Sequence, residues 1–90
     1  MNPRIFSDYN GPYQPDFMLL EYQGTKADLD RLGLSLEEGM SITVYMDSDE
    51  DEDLEADGVV HYGVIPGTNG KPGWYADTRG SVIRYVKRPK

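Results

Sequence analysis

Ten glycines and six prolines cut this 90-residue chain into short pieces. Both residue types interrupt regular structure, glycine through its conformational freedom and proline through its fixed φ and missing N–H. No apolar run approaches the ~18 residues of a membrane span. Only one stretch, Thr25–Leu32, reads as a helix. The chain must therefore build its core from short strands joined by tight turns.

The strands follow from side-chain alternation. Asp16–Tyr22 (DFMLLEY) places Met18, Leu20 and Tyr22 on one face and Glu21 on the other. Ser41–Asp47 (SITVYMD) sets Ile42, Val44 and Met46 against Ser41, Thr43 and Tyr45, and is rich in β-branched residues. Asp57–Ile65 follows, with Gly58 at its start and Gly63 inside, where an interior glycine marks a bulge or bend. Pro66–Gly73 (PGTNGKPG) is turn chemistry, and Asn69-Gly70 fits a tight hairpin. Gly73–Asp77 and Ser81–Val86 complete five strands. In the helix, Thr25 is the expected N-cap, Asp28 stands three residues on, and Gly33 suits the left-handed position after the last turn. Two turns are not stable alone, so Leu29, Leu32 and Leu34 must dock on the sheet. Residues 1–15, with Pro3, Gly11, Pro12 and Pro15, read as an irregular arm. Residues 16–86 form one domain, and 87–90 (KRPK) a basic tail. The expected architecture is all-β with one short helix: a small, strongly bent antiparallel barrel of five strands.

One rhythm supports a finer expectation. Leu36-x-x-Gly39-x-x-Ile42-x-Val44 is followed by Asp57-Gly58-x-Val60, then Trp74-Tyr75-Ala76, Gly80, Val82 and Tyr85-Val86. Over residues 16–86 this resembles the SH3-like small barrels. The resemblance implies an SH3-like five-stranded barrel, with an OB-like barrel as the alternative. Asp16–Tyr22 lacks the Tyr-Asp-Tyr type segment of peptide-binding SH3 domains, and no proline precedes Tyr85. The resemblance therefore does not carry polyproline binding with it.

Charge narrows the function. The net charge is −7, which argues against nucleic acid or an anionic membrane as the main partner. All sixteen acids and four of the bases lie in residues 1–78, while Arg79, Arg84, Lys87, Arg88 and Lys90 follow with no acid among them. Asp47–Asp57 alone holds eight carboxylates in eleven residues. Such asymmetry points to a solvated acidic loop, to steering of a basic partner, or to charge-driven self-association, the chain being a monomer or a weak homodimer. Asp47, Asp49 and Asp51 match the first three ligand positions of an EF-hand loop. Glu52 stands where that loop needs glycine, and Gly58 where it needs a bidentate glutamate, so an EF-hand is excluded. A looser divalent-cation site from Asp47, Asp49, Asp51, Asp53 and Asp57 remains as an alternative.

Cysteine is absent, which excludes disulfides, thiolate metal sites and thiol nucleophiles. No Gly-x-Ser-x-Gly turn or phosphate-binding loop exists, and His61 is the lone histidine without a marked partner. The expectation is a non-enzymatic protein with no cofactor. The first ten residues lack an apolar signal-peptide core, so a cytoplasmic setting is expected. Seven tyrosines and one tryptophan give the chain its most informative side chains. They favour half-wet recognition surfaces. Tyr9, Tyr13, Trp74 and Tyr75 are the candidate contact residues for a protein partner.

Overall fold

Ser41–Asp47 forms the strand that its alternation predicts, and the rest of the sheet is organised around it and the strand that follows. The computed structural model describes residues 2–9, 11, 13, 16–48 and 51–87. In chain order the elements are β1 (Arg4–Phe6), β2 (Phe17–Leu19), α1 (Gln23–Leu32), β3 (Ser41–Asp47), β4 (Glu52–Gly63), β5 (Gly73–Asp77) and β6 (Arg84–Lys87). The sheet runs β1-β3-β4-β5-β2, and β6 also pairs with β4. Every ladder is antiparallel except β1–β3, which is parallel. The molecule is mostly β with one short helix, as expected. The five-stranded antiparallel barrel is corrected to six strands in a mixed, open sheet. No ladder joins the two ends of the path among the described residues. They approach each other where the Ser7 hydroxyl, just past β1, donates to the Leu19 carbonyl of β2 at 2.6 Å.

The N-terminal arm is the first departure. Residues 1–15 contain a strand because Ile5, Ser7 and Tyr9 alternate, and all three are buried. A count of apolar residues misses this pattern, since serine and tyrosine hide it. β1 pairs with β3 on one side. Its other edge is covered by α1: the Phe6 N–H donates to the Asp28 carboxylate at 2.9 Å, and the Thr25 hydroxyl donates to the Phe6 carbonyl at 2.6 Å. Thr25 is therefore not the N-cap. Tyr22 occupies that position without a side-chain bond, and Thr25 lies inside the helix, fully buried against β1. Gly24 makes the approach possible, because a Cβ there would sit 2.7 Å from the Phe6 ring. Gly33 ends the helix at φ 66°, as its place in the sequence predicts.

The acidic segment is the second departure. β4 starts at Glu52, five residues before the expected Asp57, so most of the acidic loop is strand. Asp47 and Asp53 face each other at the end of the β3–β4 ladder. The Ser48 N–H donates to the Glu52 carbonyl at 3.1 Å. The carboxylates of Asp53, Glu55 and Asp57 share one face. Repulsion among them is offset by arginines from two other strands. At the chain end, Lys87 is the last residue of β6 rather than the first of a tail; residues 88–90 lie outside the described residues.

The core lies on the opposite face. Ile5, Met18, Leu20, Ile42, Val44, Ala56, Val60 and Ala76 form it with Tyr9, and Leu29, Leu36, Leu54 and Trp74 pack against its border. Gly58 admits the close approach where β5 leaves β4, since a Cβ there would meet Thr78 at 2.9 Å.

Candidate functional site

Two regions carry side chains beyond what the core requires. The first is an aromatic cleft at the β4–β5 end of the sheet. Tyr62 and Trp74 are cross-strand partners. Their rings meet edge to face, with centroids 5.0 Å apart. Such a pair contributes ~0.5–1.5 kcal/mol beyond area burial. Tyr62 is nonetheless 57% exposed. The pair borders a cleft of about 450 Å³, completed by Ile65, Pro72, Lys71 and Glu21. The Glu21 carboxylate accepts the Trp74 N–H at 2.8 Å, which fixes an acidic group at the rim.

The four expected contact residues are not one surface. Tyr9 is interior: its hydroxyl donates to the Val44 carbonyl at 3.0 Å, and burial pushes that hydroxyl far above its ordinary pKa. Tyr75 is buried as well, its ring between those of Phe17 and His61, yet it also lines the cleft beside Trp74. Tyr13 is half-buried, and its hydroxyl lies near Gly70 of the long turn. Trp74 is half-buried and lines the cleft. Trp74 and Tyr75 point to opposite faces, as neighbours on a strand must. The residue that sequence reasoning missed is Tyr62. Its signal was parity, for Val60 and Tyr62 share a face, and the turn after them brings Trp74 across.

The second region is the acidic face of β4. Arg4 reaches over β3, its guanidinium 4.3 Å from the centre of the Tyr45 ring. It holds Asp53 at 2.8 Å and Glu55 at 2.9 Å. From the other side Arg84 holds Asp57 at 3.2 Å and Glu55 at 3.7 Å. The hydrogen bond from Arg84 keeps the Asp57 carboxyl below the usual carboxylate range. The expected cation ligands are thus dispersed. Asp53 and Asp57 are engaged by different arginines, Asp49 lies outside the described residues, and Asp47 and Asp51 flank the turn. Among the described residues no group of three or more metal-ligating side chains converges.

His61 sits on the same face as Asp57, with Nδ1 3.1 Å from Glu38 Oε1, while Glu38 Oε2 accepts the Tyr62 N–H. Beneath β3, Asp28 accepts the Tyr45 hydroxyl at 2.7 Å. Burial, and then that bond, push the Tyr45 phenol up to about 12. No helix among the described residues is long and apolar enough to cross a membrane. No family model matches the chain, and no curated protein or solved structure matches it either.

Proposed function

We propose that the chain is a small non-enzymatic binding module that engages a protein partner through the cleft of Tyr62 and Trp74. One observation carries this reading: a large aromatic side chain stands exposed on strand β4, backed by a second ring, in a concave site with polar groups at its rim. Exposed rings on a rigid strand lose little entropy on binding, and such residues dominate contact energetics. Glu21 and Lys71 give the rim both signs of charge, which sets orientation rather than affinity. The surplus of carboxylates steers a partner with a basic segment, in a cytoplasmic setting that suits a cysteine-free chain. A relation to the SH3-like small barrels belongs to the same reading. It is supported by a long strand, β4, shared between two edge partners, and by the approach of the sheet ends at Ser7 and Leu19.

The test is a titration of the chain with a peptide library in which each member carries one aromatic or proline anchor beside one lysine, read by Trp74 fluorescence. Tyr62→Ala should weaken the best binder by about tenfold or more, as truncation of a contact anchor does, with the fold unchanged. Equal binding by the Tyr62→Ala chain would remove the cleft from the proposal.

A further inference from the structure

β4 has two partners along one edge. β5 ends with Asp77 opposite Val59, and β6 begins with Arg84 opposite Glu55. Four steps of β4 separate those partners, while seven steps of chain join Asp77 to Arg84. At ~3.3 Å per extended residue the connection could span about 23 Å where about 13 Å is needed. The surplus is wound into a turn, in which the Ser81 N–H donates to the Thr78 carbonyl and Gly80 takes φ 84°.

β6 is held in an unusual way. It supplies no member of the core. Val82 is 76% and Tyr85 68% exposed, and Ile83 is exposed beside them. What binds β6 is a four-pair ladder to Glu52–Glu55 and the Arg84 ion pairs. Among the described residues no backbone hydrogen bond reaches its far edge. A strand with few buried apolar contacts opens locally far more readily than the core.

We propose that the acidic edge of β4, Glu52–Glu55 with Asp57, which holds β6 of its own chain in this structure, takes β6 of a second copy by strand exchange. Adding a strand to a sheet edge gives affinity through backbone bonds and specificity through alternate side chains. Here those side chains are known: Arg84 and Val86 face Glu55 and Asp53. The second copy is the matching partner because its C-terminal end holds five bases and no acid. The slack at Thr78–Ser81 supplies the hinge, and exchange of an identical element is a low-cost route to a dimer. Where two exchanged connections cross, Val82 and Ile83 of both copies meet and lose their exposure. The proposal is independent of the aromatic cleft.

The chain has no cysteine, so introduced thiols report pairing without background. Glu52 and Lys87 are ladder partners, at a Cα separation that a disulfide spans. A Glu52→Cys chain and a Lys87→Cys chain are mixed at high concentration in low salt and oxidised. Disulfides between unlike chains are expected in about twofold excess over random pairing, the factor that an exposed ion pair of under ~0.5 kcal/mol supplies. Adding Arg84→Asp to the Lys87→Cys chain should return the ratio to random. Random pairing in the first mixture, or an excess indifferent to Arg84→Asp, overturns the proposal. A single chain carrying both thiol substitutions must close an internal disulfide; if it does not, β6 does not occupy the groove and the proposal fails at its first step.

Discussion

β1 and β6 are both strands of three or four residues, and each delivers one arginine to the same row of carboxylates on β4. Arg4 and Arg84 even share Glu55. Their anchorage differs. Ile5 of β1 is fully buried, and the outer edge of β1 is closed by Asp28 and Thr25 of the helix. β6 turns Tyr85 to solvent, and among the described residues no backbone hydrogen bond closes its outer edge. Ion pairs are therefore present in both places but decide the outcome in neither alone. Apolar burial and satisfied backbone groups make β1 permanent, and their absence makes β6 exchangeable. Exposed ion pairs are worth ~0–1 kcal/mol, whereas a buried isoleucine contributes several times that.

The largest test of this contrast is Ile5→Ala, which should lower stability by about 2–4 kcal/mol through lost transfer energy and a cavity. Urea denaturation followed by circular dichroism measures it. Tyr85→Ala on the other strand should stay within ~0.5 kcal/mol. Comparable losses would erase the distinction. Next come the arginines. Arg4→Ala should cost about 1 kcal/mol, because Asp53 is only 4% exposed and loses its partner guanidinium. Arg84→Ala should cost less than ~0.5 kcal/mol, and raising the salt should shrink that loss further. Matched denaturation midpoints for the two variants would mean that burial does not separate them.

The smallest effect is the response to pH, and it has opposite signs at the two strands. Arg84 lowers the Asp57 pKa, so the contribution of this pair is complete above the unfolded value of ~3.9 and is lost as pH falls through the lowered folded value. Tyr45, beside β1, is raised to about 12. Its neutral form is favoured on folding, so that contribution is complete below the unfolded value of ~10 and is lost as pH rises toward the folded one. Methyl NMR of Val86 and Ile5 should show β6 loosening first in acid and the β1 side loosening first in alkali. Simultaneous loss of both signals at either extreme would contradict this.

The sequence reveals the elements that stand on a single strong period. β3 has the bounds that its alternation predicts, β5 likewise, and Gly33 ends the helix where a left-handed residue was needed. It conceals elements whose reasons lie far away in the chain. β1 is three residues long and depends on hydrogen bonds to Asp28 and from Thr25, about twenty positions later. The acidic half of β4 reads as loop because like charges repel; the ladder to β3, with Arg4 and Arg84 brought in by β1 and β6, makes a strand of it. The openness of the sheet is a matter of which ends fail to pair, and no local pattern encodes that. For the cleft, Trp74 was legible as an aromatic beside a turn. Tyr62 was not singled out, since its importance comes from the register that sets it opposite Trp74. Tyr9 and Tyr75 were legible as aromatics but not as interior ones, because tyrosine patterning is compatible with either side of a thin sheet.

The parallel pairing of β1 with β3 also orders events in time. Arg4 is matched to Thr43, so β1 has no strand partner until some forty further residues exist. The β3–β4 hairpin closes a short loop, and short closures are entropically the easiest. The amino-terminal strand therefore waits for a hairpin synthesised after it, and the helix that seals its edge completes the wait. Of the strands in this sheet, β1 is therefore among the last to settle.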